Sequence, residues 1–134
     1  MLKKRKKTKI STLDNKLWRI FSKYIRLRDR FQDDYCRCIS CGSIHLWKDM
    51  HAGHFIGRRH KSIKFDEINV HAQCCKCNTF GEGEQWKYGK ALQKKYGEDV
   101  IDQLEVKKKL NKIPDRLWYQ EQIKIYTQKV KEME

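Results

Sequence analysis

The chain has 134 residues, 36% of them charged, and its 31 lysines and arginines against 17 aspartates and glutamates give a net charge of +14. That length suits one compact domain; no run approaches the roughly 20 apolar residues of a membrane span, and the basic N-terminus lacks the apolar region of a secretory signal. The charge imbalance points to a polyanion, nucleic acid first, as the partner, and a mean hydropathy of −0.91 leaves so modest a core that a metal staple would help the chain fold.

Residues 1–11 read as a basic arm. Lys3, Lys4, Arg5, Lys6, Lys7 and Lys9 place six positive charges in seven positions. They are expected to repel one another and stay disordered without a partner. A phosphate-binding role fits them, as do a solvated tail and a nuclear-import signal. Residues 12–134 are expected to form one domain. Ser11 or Thr12 can cap a helix over 12–30, with Leu13, Leu17, Phe21, Tyr24 and Ile25 on one face.

Residues 31–83 read as a core of loops and short strands. Cys38-Ile-Ser-Cys41-Gly42 makes a tight turn, and Ile44 and Leu46 alternate as in a strand. Residues 51–56 look like the return strand of a hairpin, followed by a basic loop, Arg58, Arg59, His60 and Lys61, whose expected state is mobile. Helices are expected over 84–133. The first covers 84–96 and is ended by Gly97. The second runs from Asp99 to about 111, and the last has Pro114 in its first turn. Tyr119, Ile123, Tyr126, Val130 and Met133 form a stripe there, either intramolecular core or the seam of a homodimer. Trp47 and Trp86 are expected in the core.

Two cysteine pairs at x2 spacing, Cys38/Cys41 and Cys74/Cys77, are separated by the 32 residues 42–73. Without a secretory signal they read as reduced thiols at a structural zinc rather than as disulfides. The two turns converge only if the intervening chain doubles back, a hairpin between two knuckles with the second opening a helix, which is the treble-clef arrangement. Such a site is closed, so this zinc holds the fold and does no chemistry. Cys36 and Cys75 are left over as ordinary thiols.

Phosphodiester hydrolysis needs a water activated by a base and a cation beside the phosphate. His54 suits the base role, since an unperturbed imidazole has a pKa of about 6.5, and Asn78 is fixed by its neighbour Cys77. His71 reads as a structural histidine. The order His54, Asn69, Cys74-x2-Cys77-Asn78 resembles the HNH, or ββα-metal, nucleases, especially the endonuclease VII branch. Cys38-Ile-Ser-Cys41-Gly42, His51-Ala-Gly-His54, Gln73-Cys74-x2-Cys77-Asn78 and the later stretch with Gly97, Val100 and Leu104 are similar to the phage NinG family, also called Rap, of recombination endonucleases.

The resemblance implies an α+β fold, a zinc-stabilised treble-clef ββα-metal (HNH-like) core flanked by N-terminal and C-terminal helices. It implies a structure-specific DNA endonuclease acting on D-loops or Holliday junctions in the cytoplasm, the host's if the chain is phage-encoded. His54 would be the base, Asn69 the residue pinning the loop, and Asn78 a ligand to catalytic Mg²⁺ or Mn²⁺. The family pattern often has an acidic residue or histidine immediately before the base, where this chain has Gly53; His51 or water would take that metal role, with Glu82 a weaker candidate. Arg58, Arg59, His60 and Lys61 would grip phosphates, unless they form a merely solvated loop. The competing readings are a non-catalytic zinc module that binds DNA or RNA, and a scaffold dimerising through its last helix.

Overall fold

The computed structural model describes residues 7–81, 84–110 and 112–134. Lys3, Lys4, Arg5, Lys6 and Glu82 therefore lie outside the described residues; Lys7 is exposed. The elements in chain order are α1 (Ile10–Arg28), β1 (Arg30–Gln32), β2 (Tyr35–Arg37), β3 (Ile44–Leu46), β4 (His51–His54), β5 (Val70–Gln73), α2 (Gln85–Tyr96), α3 (Val100–Lys109) and α4 (Arg116–Met133). A 3₁₀ turn at Trp47–Asp49 precedes β4, and a wide helical turn at Lys76–Phe80 follows β5.

The helix expected to open at Ser11 or Thr12 starts earlier, with Lys9 at its N-cap and no side-chain cap. The Lys9 carbonyl instead accepts both the Thr12 and Leu13 amides at 3.1 Å. Leu13, Leu17, Phe21, Tyr24 and Ile25 are all buried, as their spacing predicts. They pack on the stripe of α4, where Tyr119, Tyr126 and Val130 are buried and Ile123 and Met133 partly so. Phe21 and Tyr126 meet edge to face at 5.0 Å. Of the two readings of that stripe, intramolecular core is the one met, since it packs on α1. Asp115, not Pro114, begins α4: its Oδ1 caps the Trp118 amide at 2.8 Å, and Pro114 lies just outside.

β1, β2 and β3 form an antiparallel meander, and β4 pairs with β5 in a separate two-stranded sheet. The expected hairpin between the Ile44–Leu46 strand and residues 51–56 is therefore wrong. The 3₁₀ turn diverts the chain, and β4 finds its partner across the long loop 55–69, with Ala52 opposite Ala72 and His54 opposite Val70. Burial decides the pairing. β5 is buried along its whole length and needs cover, whereas β3 is exposed throughout. Gly53 lies against Gln73 so closely that a Cβ there would stand 2.0 Å from the Gln73 Oε1. A side chain at position 53 requires the Gln73 side chain to move.

Beyond β5 the turn at Lys76–Phe80 stops at Gly81, and α2 begins only after Glu84, whose φ is 46°. Gly97, at φ 106°, ends α2 in a conformation other residues resist. Trp86, expected in the core, is 75% exposed on the first turn of α2. Trp47 is half-buried, with the Arg26 guanidinium 5.4 Å from its ring. Among the described residues no helix is long and apolar enough to cross a membrane.

Candidate functional site

The first knuckle closes through backbone bonds. The Cys38 amide donates to the Ser43 carbonyl at 2.8 Å and the Gly42 amide to the Cys38 carbonyl at 2.9 Å, with Gly42 at φ 78°. The Ile39 amide donates to the Ala72 carbonyl at 3.0 Å, tying this knuckle to β5. The second knuckle runs from the end of β5 into the turn at Lys76–Phe80. Together they bring the sulfurs of Cys38, Cys41, Cys74 and Cys77 within 4.8 Å of one another. The Cys41 and Cys74 sulfurs are 3.8 Å apart. Tetrahedral zinc with bonds of about 2.3 Å separates its sulfurs by about 3.8 Å, so the cluster fits that ion.

The thiols are electrostatically uneven. Burial raises Cys41, but hydrogen bonds with Ser43 and with neighbouring thiols outweigh it and bring it down to about 6. Burial and the adjacent thiols push Cys77 up. The two leftover cysteines stay out of the cluster. Cys36 is buried, donates to the Arg26 carbonyl at 3.1 Å and is pushed up to about 11 by burial; Cys75 is exposed.

A cleft of about 390 Å³ has a lining that includes Trp18, Arg26, His51, His54, Arg58 and Asn78. The His54 ring stacks on Trp18 with centroids 4.7 Å apart, and its Nε2 lies 3.0 Å from the Lys64 carbonyl oxygen. A carbonyl can only accept, so Nε2 carries the proton and Nδ1 keeps the lone pair of the neutral ring. Burial lowers the His54 pKa to about 4, assisted by the charges of Lys64 and Arg58 and opposed by the carbonyl bond. The imidazole is therefore neutral near pH 7.

Asn78 enters from the zinc side, its amide N–H bonded to the Cys74 carbonyl at 2.9 Å. Its side-chain Nδ2 donates to the His51 Nδ1 at 3.0 Å, so the two sequence-predicted metal ligands are adjacent. Asn69 sits apart from the cleft. It is fully buried, accepts from the Ile56 amide at 2.8 Å and donates to the Ile56 and Ile63 carbonyls at 2.9 and 3.2 Å. Its work is to cross-link the two ends of the loop that follows His54, not to touch a reacting group.

That loop is anchored rather than mobile. Lys64 is buried and bonded to the buried Asp14 of α1, which also accepts from the Tyr119 hydroxyl at 2.6 Å. Burial raises the Asp14 carboxyl, but Lys64 and Tyr119 outweigh it and hold it below the usual range. Lys61, expected to grip phosphate, reaches the same carboxylate at 3.4 Å. Arg58 and Arg59 are exposed, and Arg59 Nε donates to the His60 Nε2 at 3.3 Å. Sequence reasoning missed Trp18, Asp14 and Lys64. The signal was present for Asp14, a charge on the apolar face of α1 in line with Leu17 and Phe21. His71 is buried, bonded to the Tyr96 hydroxyl at 2.8 Å and held down at about 3 by burial, as a structural residue.

These features define an α+β chain with two small sheets and a four-cysteine cluster that could bind zinc. The chain belongs to the NinG family: the family model described as "Bacteriophage Lambda NinG protein" matches residues 1–134. It is 31% identical over 115 residues to protein ninG of Salmonella phage P22, an alignment covering 82% of this chain and 52% of that protein. It is 34% identical over 83 residues to protein ninG of Escherichia phage 933W, covering 61% of this chain and 39% of the relative. Protein ninG of Escherichia phage lambda is 32% identical over 83 residues, covering 61% and 38%. The chain thus spans about half or less of these curated relatives. No solved structure matches it.

Proposed function

We propose that this chain is a metal-dependent endonuclease that cleaves branched DNA, D-loops and Holliday junctions, by phosphodiester hydrolysis on a treble-clef ββα-metal core. The observation that carries the reading is the meeting of His54 and Asn78 in one cleft. A neutral imidazole with Nε2 tied to a backbone carbonyl is oriented as a base, and its Nδ1 accepts the proton of the attacking water. Arg26 and Arg58 draw a phosphate into the cleft, in keeping with the +14 charge. β4, β5 and the turn carrying Cys77 and Asn78 supply the two strands and helical start of such a core.

His51 and Asn78 offer an imidazole nitrogen and an amide to a divalent cation. Among the described residues no carboxylate lines the cleft. Mg²⁺ or Mn²⁺ fits these donors only as a site completed by substrate phosphate and water, where it would supply Lewis-acid charge at the phosphate. Arg59, His60, Lys61 and the arm Lys3–Lys7 would contact DNA backbone outside the cleft. The same lack of a carboxylate favours, as a second reading, a zinc module that binds DNA or RNA without cutting it.

The test is incubation of the purified chain with linear, forked and four-way DNA, with Mg²⁺, with Mn²⁺ and with neither. Cation-dependent cutting of the branched substrates is expected. His54→Ala should abolish it while DNA binding and the thermal transition persist. Cutting by that variant at the parent's rate would refute the assignment.

A further inference from the structure

The loop after His54 also lines a second recess, which shares no lining residue with the cleft. It has a volume of about 380 Å³ and lies between residues 61–66 and the segment leading into α4. Its walls are apolar and aromatic: Phe65, Pro114 and Trp118, with the Phe65 and Trp118 rings 5.9 Å apart and inclined at 49°. Asp66 and Asp115 also line it; Asp66 is already held by the Ile68 and Asn69 amides and by Lys107, and Asp115 Oδ1 caps the Trp118 amide, which leaves the Asp115 Oδ2 as the acceptor for a ligand. Lys61 and Lys112 stand beside Ile113, which is 84% exposed.

An adjoining recess of about 240 Å³ shares Lys61, Lys112 and Ile113 and adds Arg59, His60 and Lys108, with no acidic residue in its described lining. An aromatic slot with one carboxylate oxygen at its edge, opening onto a run of cations, is complementary to one nucleotide. The ring system stacks inside, an exocyclic N–H meets the Asp115 Oδ2, and its phosphate lies on the lysines. A base inside a duplex is stacked and paired and cannot enter; a base in the single-stranded arm of a fork or in the displaced strand of a D-loop can. Phe65 directly follows Lys64, whose carbonyl orients His54, so the slot and the cleft are joined through one anchored loop.

We propose that this recess receives an unpaired nucleobase from a single-stranded arm or displaced strand and so selects forks and D-loops over linear duplex. The inference rests on the nuclease reading above. It is tested with Ca²⁺ in place of Mg²⁺, so that binding is read without cutting. A fork carrying 5-iodouracil in its single-stranded arm should crosslink to Trp118 or Phe65 on irradiation, mapped by peptide mass spectrometry. Trp118→Ala and, at the mouth, Ile113→Glu should each lower the fork-to-duplex affinity ratio about tenfold with duplex affinity unchanged. Ile113 is exposed, so its variant keeps the fold even if Trp118→Ala does not.

Crosslinks only at other residues, or an unchanged ratio in Ile113→Glu, would overturn the base slot and leave the nuclease reading standing. Binding of an apolar peptide there, with forks and duplexes bound alike, would also overturn it. A parent chain that binds no DNA at all would remove both.

Discussion

The buried pair between Asp14 and Lys64 yields the sharpest stability prediction. The two side chains are 7% and 4% exposed, and the Tyr119 hydroxyl donates to the same carboxylate at 2.6 Å. Asp14→Leu leaves an ammonium and a phenol in the interior without an acceptor. Stranding one member of a buried ion pair costs about 3–5 kcal/mol, and the orphaned hydroxyl adds about 1–3 kcal/mol. At roughly 3–6 °C per kcal/mol for a chain of this size, the thermal midpoint should fall by at least 10 °C or so. Adding Lys64→Met should recover most of the loss, and Tyr119→Phe should recover the remainder, because the apolar triple variant leaves nothing unsatisfied. Lys61 is half exposed and can return to solvent. The assay is thermal and urea unfolding by circular dichroism at fixed zinc. If Asp14→Leu costs less than about 1 kcal/mol, or if Lys64→Met worsens it, then the pair does not anchor the loop as argued.

Three further outcomes follow from the geometry. Cys77→Ser, or a strong zinc chelator, should abolish the cooperative unfolding transition, since the ion's binding energy is folding energy; a cooperative melt that survives chelation would count against it. Gly53→Ala should cost about 1–3 kcal/mol, because the new Cβ meets Gln73 not only at Oε1 but also at Cβ and Cδ, both at 3.0 Å; an unchanged urea midpoint would contradict the close packing. His54 should show no protonation step between pH 8 and 5.5 by NMR and should hold its proton on Nε2. Its folded pKa of about 4 lies below the unfolded value near 6.5, so the unfolded state binds the extra proton first. Stability is then full above pH 6.5 and declines as pH falls toward 4. A midpoint at or above 6.5 would show that burial does not govern this imidazole.

The four-cysteine cluster and the helical faces were legible because each is a local rule. The x2 spacing puts two sulfurs on one turn, and the stripes on α1 and α4 repeat at helical period and bury as expected. The pairing of β4 was not legible. Periodicity could mark 51–56 as a strand but could not say that the wholly buried β5, beyond a long loop, needed it more than the exposed β3 did. The loop after His54 was misread for a related reason. Its run of basic residues looks solvated in one dimension, and only the fold carries Asp14 of α1 to Lys64 and Lys61. Trp86 shows the converse: a large aromatic residue expected in the core stands exposed on α2, with the Lys90 ammonium 4.7 Å from its ring.

The two sides of the cleft are therefore fixed by different physics. Asn78 depends on the thiolate cluster, through the Cys74 carbonyl that holds its backbone and the Cys77 that precedes it. The His54 ring depends on α1, through the stack on Trp18 and through the loop that the Asp14–Lys64 pair pins in place. A chain this charged has little apolar surface with which to position both, and it has a four-cysteine cluster that could bind zinc at one wall and a buried ion pair at the other. The two anchors should fail separately. Disturbing Asp14 should loosen the imidazole and leave the zinc bound, whereas removing zinc should release Asn78 along with both knuckles. Zinc content and the His54 tautomer, measured together on the Asp14→Leu variant, separate these failures; loss of zinc from that variant would mean that the walls are one unit and not two.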